Sequence, residues 1–139
     1  MDEKTLKTLE FPKVIDRLAG YTAFSASADL VRALSPAASL EEARERQLRT
    51  SEARKLLSMK ADVSVGGAHD IRQQASMAAK GGVLTESDLL SVSGTLVAAR
   101  SLHRNFEKQA RDFPHLAEIV SLLPPPPGVI EAISRCISD

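Results

Sequence analysis

The chain has 139 residues, about one domain's length, and 43% of them are hydrophobic. Aromatic residues make up only 4% and there is no tryptophan, so the core must be built from aliphatic side chains, which suits helices better than sheets. Lys and Arg number 18, as do Asp and Glu, and this zero net charge excludes the overall basic excess that dedicated nucleic-acid binders usually carry.

The sequence also indicates the compartment. Its single cysteine, Cys136, excludes an internal disulfide and fits a reducing environment. The charged N-terminus "MDEKTLKTLE" lacks the apolar run of a signal peptide, and no apolar stretch approaches the roughly 20 residues of a membrane helix. We therefore expect a cytoplasmic protein with no membrane partner.

Apolar residues recur at helical spacing along the whole chain, which predicts an all-α fold, an irregular bundle of about seven helices with no sheet. The first helix covers 11–18, and the second covers 25–34. Ser39 followed by Glu42 is a capping-box pattern that opens a long third helix, running toward Met59.

Four further helices are predicted in the second half of the chain. The segment "ADVSVGG" should break the long helix, and the prolines of "LPPPPG" should form a short, stiff, extended turn. The last helix continues its period up to Asp139 without a C-cap residue, which suggests either a fragment of a longer protein or a frayed terminus. The predicted helices lie at 70–78, 85–106, 113–123 and 129–137.

Lys80, Gly81 and Gly82 precede a helix start and raise the question of a phosphate-binding loop. A Walker loop needs GxxxxGK followed by Ser or Thr, and this pattern is absent from the sequence. Carboxylates at Glu86 and Asp88 already occupy the next helix's N-terminal end and would repel a phosphate. We therefore interpret Gly81 or Gly82 as a left-handed helix end and Thr85 as the next N-cap.

The stretch "SVGGAHDI" has a similar interpretation. Gly66 and Gly67 allow the backbone to turn, and Asp70 is a candidate helix cap. His69 could act as a general base, but no nucleophile or second titratable partner stands beside it in sequence. The structural interpretation is preferred.

The remaining titratable residues do not form a recognisable catalytic or metal-binding pattern. The three histidines and Cys136 lack metal-ligand spacing, so no metal site and no cofactor are expected in this chain. The carboxylates in the first turns of the long helix favour the helix dipole and solvent over acid–base chemistry. The histidines are His69, His103 and His115, and the carboxylates are Glu41, Glu42 and Glu45.

A stripe of cations is the candidate nucleic-acid site. Arg100, Arg104, Lys108 and Arg111 lie along one helical face if the helix reaches Arg111, and such a stripe could contact phosphate oxygens independently of base sequence. A solvated face is the alternative, because cations in the last turns complement the helix C-terminus. Glu107 beside the stripe partly cancels its charge.

Four stretches together resemble one family. They are "KTLEFPKVIDRLAGYTAFS", "LSPAASLEEARERQLRTSEARKLL", "VGGAHDIR" and "GGVLTESDLL". In this order and spacing they resemble the N-terminal core, or lever, region of the second bacterial MutS branch, the MutS-type-two endonuclease family of mismatch-repair-like ATPases. The series covers nearly the whole chain.

The resemblance implies a larger parent protein. Such a parent would continue into a clamp of long helices, a dimeric ATPase using ATP and Mg²⁺, and usually a nuclease domain. It would bind branched DNA, suppress recombination and, in some members, act on collided ribosomes. The motifs for ATP hydrolysis and DNA cleavage lie outside these 139 residues.

We therefore expect residues 1–139 to form a single, non-catalytic helical domain that connects the clamp and the ATPase. Its partners would be the remaining domains of a homodimeric parent, with DNA or the ribosome reached through that parent. The alternative is an independent helical interaction module that docks a partner through an exposed apolar face at Val129 to Ile137.

Overall fold

The computed structural model of the chain describes residues 2–59, 66–123 and 128–138, and this part contains eight α-helices and no strand. The all-α prediction is confirmed. The predicted break in "ADVSVGG" and the predicted turn in "LPPPPG" fall mainly outside the described residues. The helices are α1 (Glu3–Thr8), α2 (Phe11–Ala19), α3 (Ser25–Arg32), α4 (Leu40–Ser58), α5 (Arg72–Ala79), α6 (Glu86–Gln109), α7 (Pro114–Ser121) and α8 (Val129–Ser138).

Helix α1 is additional to the seven helices that periodicity predicts. Its start is a local cap, because the Asp2 carboxylate accepts the Thr5 N–H at 2.7 Å. Glu3 and Lys7 then form an ion pair one turn apart, at 3.2 Å. Leu6 is the one apolar side chain in this short helix, so a search for an apolar stripe does not find it.

The chain divides into two compact units, Met1–Ala43 and Arg44–Asp139. In the first unit, α2 packs against both α1 and α3. Ala19 is buried and Ile15 is half-buried, whereas Val14 and Leu18 on the same helix are 58% and 43% exposed. The apolar stripe of α2 is therefore only partly covered.

The second unit contains the larger core. Helix α6 packs against α7 and α8, and the C-terminal half of α4 contributes Leu56 to the cluster of buried side chains. Phe113, just before α7, is the most deeply buried of them at 1% exposure. The buried cluster consists of Leu56, Phe106, Phe113 and Val120, with Leu102, Leu116, Ala117 and Leu123 packed around it.

The position of α8 corrects one sequence expectation. The middle of its apolar face is covered, because Ile130 and Ile133 are buried at 6% and 7% in a helix that packs against α6, whereas Val129 is 38% exposed. The Arg100 guanidinium of α6 donates to the Glu131 carboxylate at 3.2 Å beside this contact. The apolar surface that α8 could offer to a partner is therefore smaller than the sequence predicts.

The segment before α5 lies close against α6. A β-carbon on Gly94 would stand 3.0 Å from the Gly67 carbonyl oxygen, so the absence of a side chain permits this approach. The Thr95 hydroxyl accepts the His69 N–H at 2.9 Å and lies within 3.3 Å of the His69 carbonyl oxygen. Residues 66–70 are thus anchored to the middle of α6.

Phe113→Ala should strongly destabilise the second unit. The ring is buried, and the Lys55 ammonium lies 5.2 Å from its centroid, so truncation removes packing and leaves a cavity. We expect a loss of about 3–5 kcal/mol in the free energy of unfolding, measured by urea denaturation. Leu122→Ala is the control: this side chain is 78% exposed, and the expected loss is about 0.5 kcal/mol or less. Equal losses would contradict the core assignment.

Candidate functional site

The glycines at 81 and 82 end helix α5. Gly81 has φ of 75°, the left-handed conformation, and its N–H donates to the Ala78 carbonyl at 2.9 Å. The Gly82 N–H donates to the Met77 carbonyl at 3.0 Å, which completes the Schellman arrangement of a helix C-terminus. Because both N–H groups bond within the chain, they do not converge on an anion.

The start of α6 carries a capping box. The Thr85 hydroxyl accepts the Asp88 N–H at 3.2 Å, and the Asp88 carboxylate accepts the Thr85 N–H at 3.0 Å. The Thr85 hydroxyl also donates to that carboxylate at 2.6 Å, and the Gln74 amide of α5 donates to it at 2.9 Å. These hydrogen bonds, the Thr85 hydroxyl above all, hold the pKa of Asp88 below its usual value of 3.8. The carboxylate therefore occupies the end of α6 where a phosphate would bind.

The stretch at 66–70 forms a turn and a cap. Gly67 has φ of 84°, and the Asp70 carboxylate accepts the Arg72 N–H at 3.3 Å and the Arg72 Nε–H at 2.8 Å. Ile71 holds the N-cap position of α5, so Asp70 acts from one residue earlier. His69 is exposed.

Ser39 and Glu42 interact at the start of α4. The Ser39 hydroxyl accepts the Glu42 N–H at 3.1 Å, and the Glu42 carboxylate accepts the N–H of Ala38 at 2.8 Å. The reciprocal bond thus goes to the residue before Ser39. Two backbone donors at the helix start are satisfied in this way.

The structure modifies the predicted cation stripe on α6. The helix ends at Gln109, so Arg111 lies in the turn that follows and not on the helical face. Arg100 is bonded to Glu131, and the neighbouring Glu107 carboxylate lies 3.4 Å from the His103 ring. Arg104 and Lys108 remain as exposed helical cations of the stripe.

A polar cluster that the sequence pattern does not predict lies where α4 meets α7. The Glu52 carboxylate of α4 accepts the backbone N–H groups of His115, at 3.3 Å, and Leu116, at 2.9 Å. Glu45 accepts the Arg49 Nε–H at 2.9 Å and lies 3.3 Å from His115 Nδ1. We call these residues the α4–α7 polar cluster; its members are Glu45, Arg49, Glu52, His115 and Glu118, the last lying 3.7 Å from Arg49.

The cluster supplies a helix cap that the local sequence lacks. Helix α7 begins with Pro114, and Phe113 in its N-cap position has no side chain that can accept a hydrogen bond. A carboxylate at this end satisfies unpaired N–H donors and favours the helix dipole. The sequence gives only an indirect sign of this cap, a helix start without a polar N-cap residue. It does not indicate that Glu52 is the acceptor, because Glu52 is more than sixty positions away.

Within the described ranges, no group of three or more His, Cys, Asp or Glu residues could hold a metal ion. Every helix of that part of the chain is too short or too polar to span a bilayer.

Comparison with known proteins identifies relatives of the whole chain. No protein-family model matches it. It is 44% identical to the endonuclease MutS2 of Symbiobacterium thermophilum over 109 residues, which are 78% of this chain. The endonuclease MutS2 of Pelotomaculum thermopropionicum is 35% identical over 137 residues, and that of Bacillus cereus strain B4264 is 35% identical over 146, covering 99% and 100% of this chain. The chain belongs to the MutS2 family.

The match is to a small part of each MutS2 relative. The aligned region is 14% of the Symbiobacterium protein and 18% of each of the other two. This chain therefore corresponds to one portion of a MutS2 protein, and most of the length of those relatives lies outside the comparison.

Glu52→Ala should weaken the contact between α4 and α7. Loss of the cap leaves two N–H donors of α7 without their acceptor, and we expect a loss of about 1–2 kcal/mol in urea denaturation. Hydrogen exchange at His115 and Leu116 should accelerate most. Glu118→Ala removes a more exposed carboxylate of the same cluster and should cost about 0.5 kcal/mol or less. Unchanged exchange at both amides in the Glu52 variant would contradict the cap.

Asp88 should make stability depend on pH. Because its folded pKa lies below the ordinary 3.8, its contribution is present above that value and is lost as pH falls through the folded pKa. Asp88→Asn should therefore narrow the difference between the free energies of unfolding at about pH 6 and about pH 3. Thr85→Ala, which removes the main donor, should narrow it as well. An unaltered difference in both variants would refute this assignment.

Proposed function

We propose that this chain is a structural, non-catalytic domain of a MutS2 protein that connects the clamp helices to the ATPase. The observation that carries the proposal is the α4–α7 polar cluster. Except for the exposed Glu118, its side chains lie partly buried between two helices and are engaged with backbone donors and with each other. Such an arrangement stabilises a helix junction, and it leaves these groups committed to structure rather than to a substrate.

The family relationship supports the proposal that this domain acts within a larger protein. The relatives are named endonucleases, and the chain aligns with less than a fifth of their length. The proposed parent binds branched or mismatched DNA with ATP hydrolysis, suppresses recombination and acts on collided ribosomes. In this proposal, ATP, Mg²⁺ and the homodimer interface belong to other parts of the parent.

Direct DNA affinity of this domain through α6 should be weak. Of the four cations in the predicted stripe, Arg100 is bonded to Glu131 and Arg111 lies beyond the helix. Binding to a polyanion grows with the number of phosphates neutralised, and two exposed helical cations neutralise few.

The scaffold role can be tested by measuring separately the basal ATPase rate and its stimulation by DNA. The chain by itself should neither hydrolyse ATP nor cleave DNA. Joined to the rest of a MutS2 protein, Glu52→Ala should lower the DNA-stimulated part of the ATPase rate and leave the rate without DNA unchanged, because it loosens a junction and not the ATPase site. Glu118→Ala is the matched control and should leave both rates unchanged.

Two results would overturn the proposal. One is ATP hydrolysis or DNA cleavage by the purified chain that is abolished by His69→Ala or Lys80→Ala. The other is normal DNA stimulation in a Glu52→Ala parent whose α4–α7 contact is shown by hydrogen exchange to be loosened.

A further inference from the structure

The first unit, Met1–Ala43, buries very little of its apolar surface. Its helices α1, α2 and α3 are 6, 9 and 8 residues long, below the roughly 12–15 residues at which an isolated helix becomes marginally stable. Among its described residues, 2–43, Ala19 is the one buried hydrophobic side chain. Units of about 40 residues usually need a disulfide, a metal or a partner, and the chain's single cysteine, Cys136, lies outside this unit. A partner for its apolar side chains is therefore expected.

The uncovered apolar side chains form a strip along each of two helices. On α2, Val14 and Leu18 are one turn apart and are 58% and 43% exposed, and Tyr21 in the turn after the helix is 77% exposed. On α3 and the turn after it, Leu30 and Leu34 are 73% and 41% exposed. A spacing of three to four residues is typical of a helix face that packs against another element. We call these five residues the α2–α3 apolar face.

The geometry of a helix hairpin brings the two strips to one side. Helix α2 packs against α3 across the connection at 20–24, a length typical of antiparallel neighbours. In each helix the next residue after a strip residue, Ile15 after Val14 and Val31 after Leu30, is half-buried and lies about 100° further around the axis. Antiparallel helices are related by a twofold axis, so strips that are rotated in the same sense from the contact lie on the same side of the pair. One partner can therefore contact both strips.

A cation borders this face. Arg17 lies about 60° from Val14 around α2, is exposed, and has no ion pair within the described part of the chain. The nearby Glu10 is already paired with Lys13. A partner with an acidic residue at the border of its own apolar stripe would therefore complement this edge.

We propose that the α2–α3 apolar face packs against an amphipathic helix from another part of the same MutS2 polypeptide. Stable interfaces between separate chains contain about 20–30 residues a side, and five side chains are too few for a second copy to bind stably. A helix of the same polypeptide is held at an effective concentration of about 1 mM, so a much smaller contact suffices. The aligned region is less than a fifth of each relative, so most of a MutS2 polypeptide is available to provide this helix. The inference rests on the proposed function only for the larger parent, and not for coupling to the ATPase.

The test compares amide hydrogen exchange in α2 and α3 between the isolated chain and the chain joined to the rest of a MutS2 protein, without nucleotide or DNA. Covering the α2–α3 apolar face should slow this exchange about tenfold in the joined protein. Leu18→Ser with Leu30→Ser should remove most of the slowing and leave exchange in the isolated chain unchanged, because both side chains are exposed there. Asp16→Ser with Arg32→Ser is the matched control: it places two serines on the opposite sides of the same helices, keeps the net charge and should preserve the slowing.

Photo-crosslinking identifies the occupant of the face. Benzoylphenylalanine replaces Leu18 in the joined protein, which is assembled from a mixture of isotope-labelled and unlabelled copies. The expected product links position 18 to a segment of the same copy outside residues 1–139, with apolar residues every three to four positions and an Asp or Glu at their border. The same group at position 16, on the opposite side of α2, is the control and should give little of this product.

Several results would overturn the proposal. Equal exchange rates in the isolated chain and the joined protein would show that nothing covers the face, and equal loss of slowing in the two variants would show that the face is not specific. A crosslink between labelled and unlabelled copies would assign the face to a second copy, and one to residues 44–139 would assign it to the second unit. A yield at position 18 no higher than at position 16 would also contradict it. The scaffold role is judged separately, by the DNA-stimulated ATPase rate of the Glu52→Ala parent.

Discussion

The hydrogen bonds from the first turn of α7 to the Glu52 carboxylate, together with the buried Leu56, are the contacts that hold α4 in the second unit. Helix α7 begins with proline after phenylalanine, so its free N–H donors have no side-chain acceptor nearby in sequence. Glu52 reaches them from α4, and Leu56, one turn further along α4, joins the buried cluster with Phe113. The Glu52 cap and the packing of Leu56 against Phe113 thus connect α4 to the same part of the chain, the start of α7.

This contact places the two sides of α4 in different surroundings. One side combines carboxylates with a buried leucine and is committed to the interior of the unit. The other side carries Thr50, Ser51 and Arg54, which are exposed.

Helix α6 connects the remaining parts of the unit. Residues 66–70 lie against Gly94 and Thr95, Gln74 of α5 bonds Asp88, and Arg100 bonds Glu131 of α8. The long helix thus receives contacts along much of its length. Arg100, one of the four cations in the predicted stripe, takes part in one of these contacts. This sharing leaves two exposed cations of the α6 stripe, Arg104 and Lys108, on the helix.

The sequence by itself determined the all-α class, most helix positions and the local caps. Thr85 with Asp88, Ser39 with Glu42, and the glycine after α5 all act within a few residues, where spacing and residue type specify the hydrogen bonds. Helix α1 was missed because it has a cap but no apolar stripe. The tertiary structure alone decided that Glu45 meets His115, that Glu52 caps α7 and that Ile130 and Ile133 are covered by packing against α6. The physical reason is that periodicity shows which residues share a face, whereas the helix that covers the face depends on contacts between residues far apart in the chain.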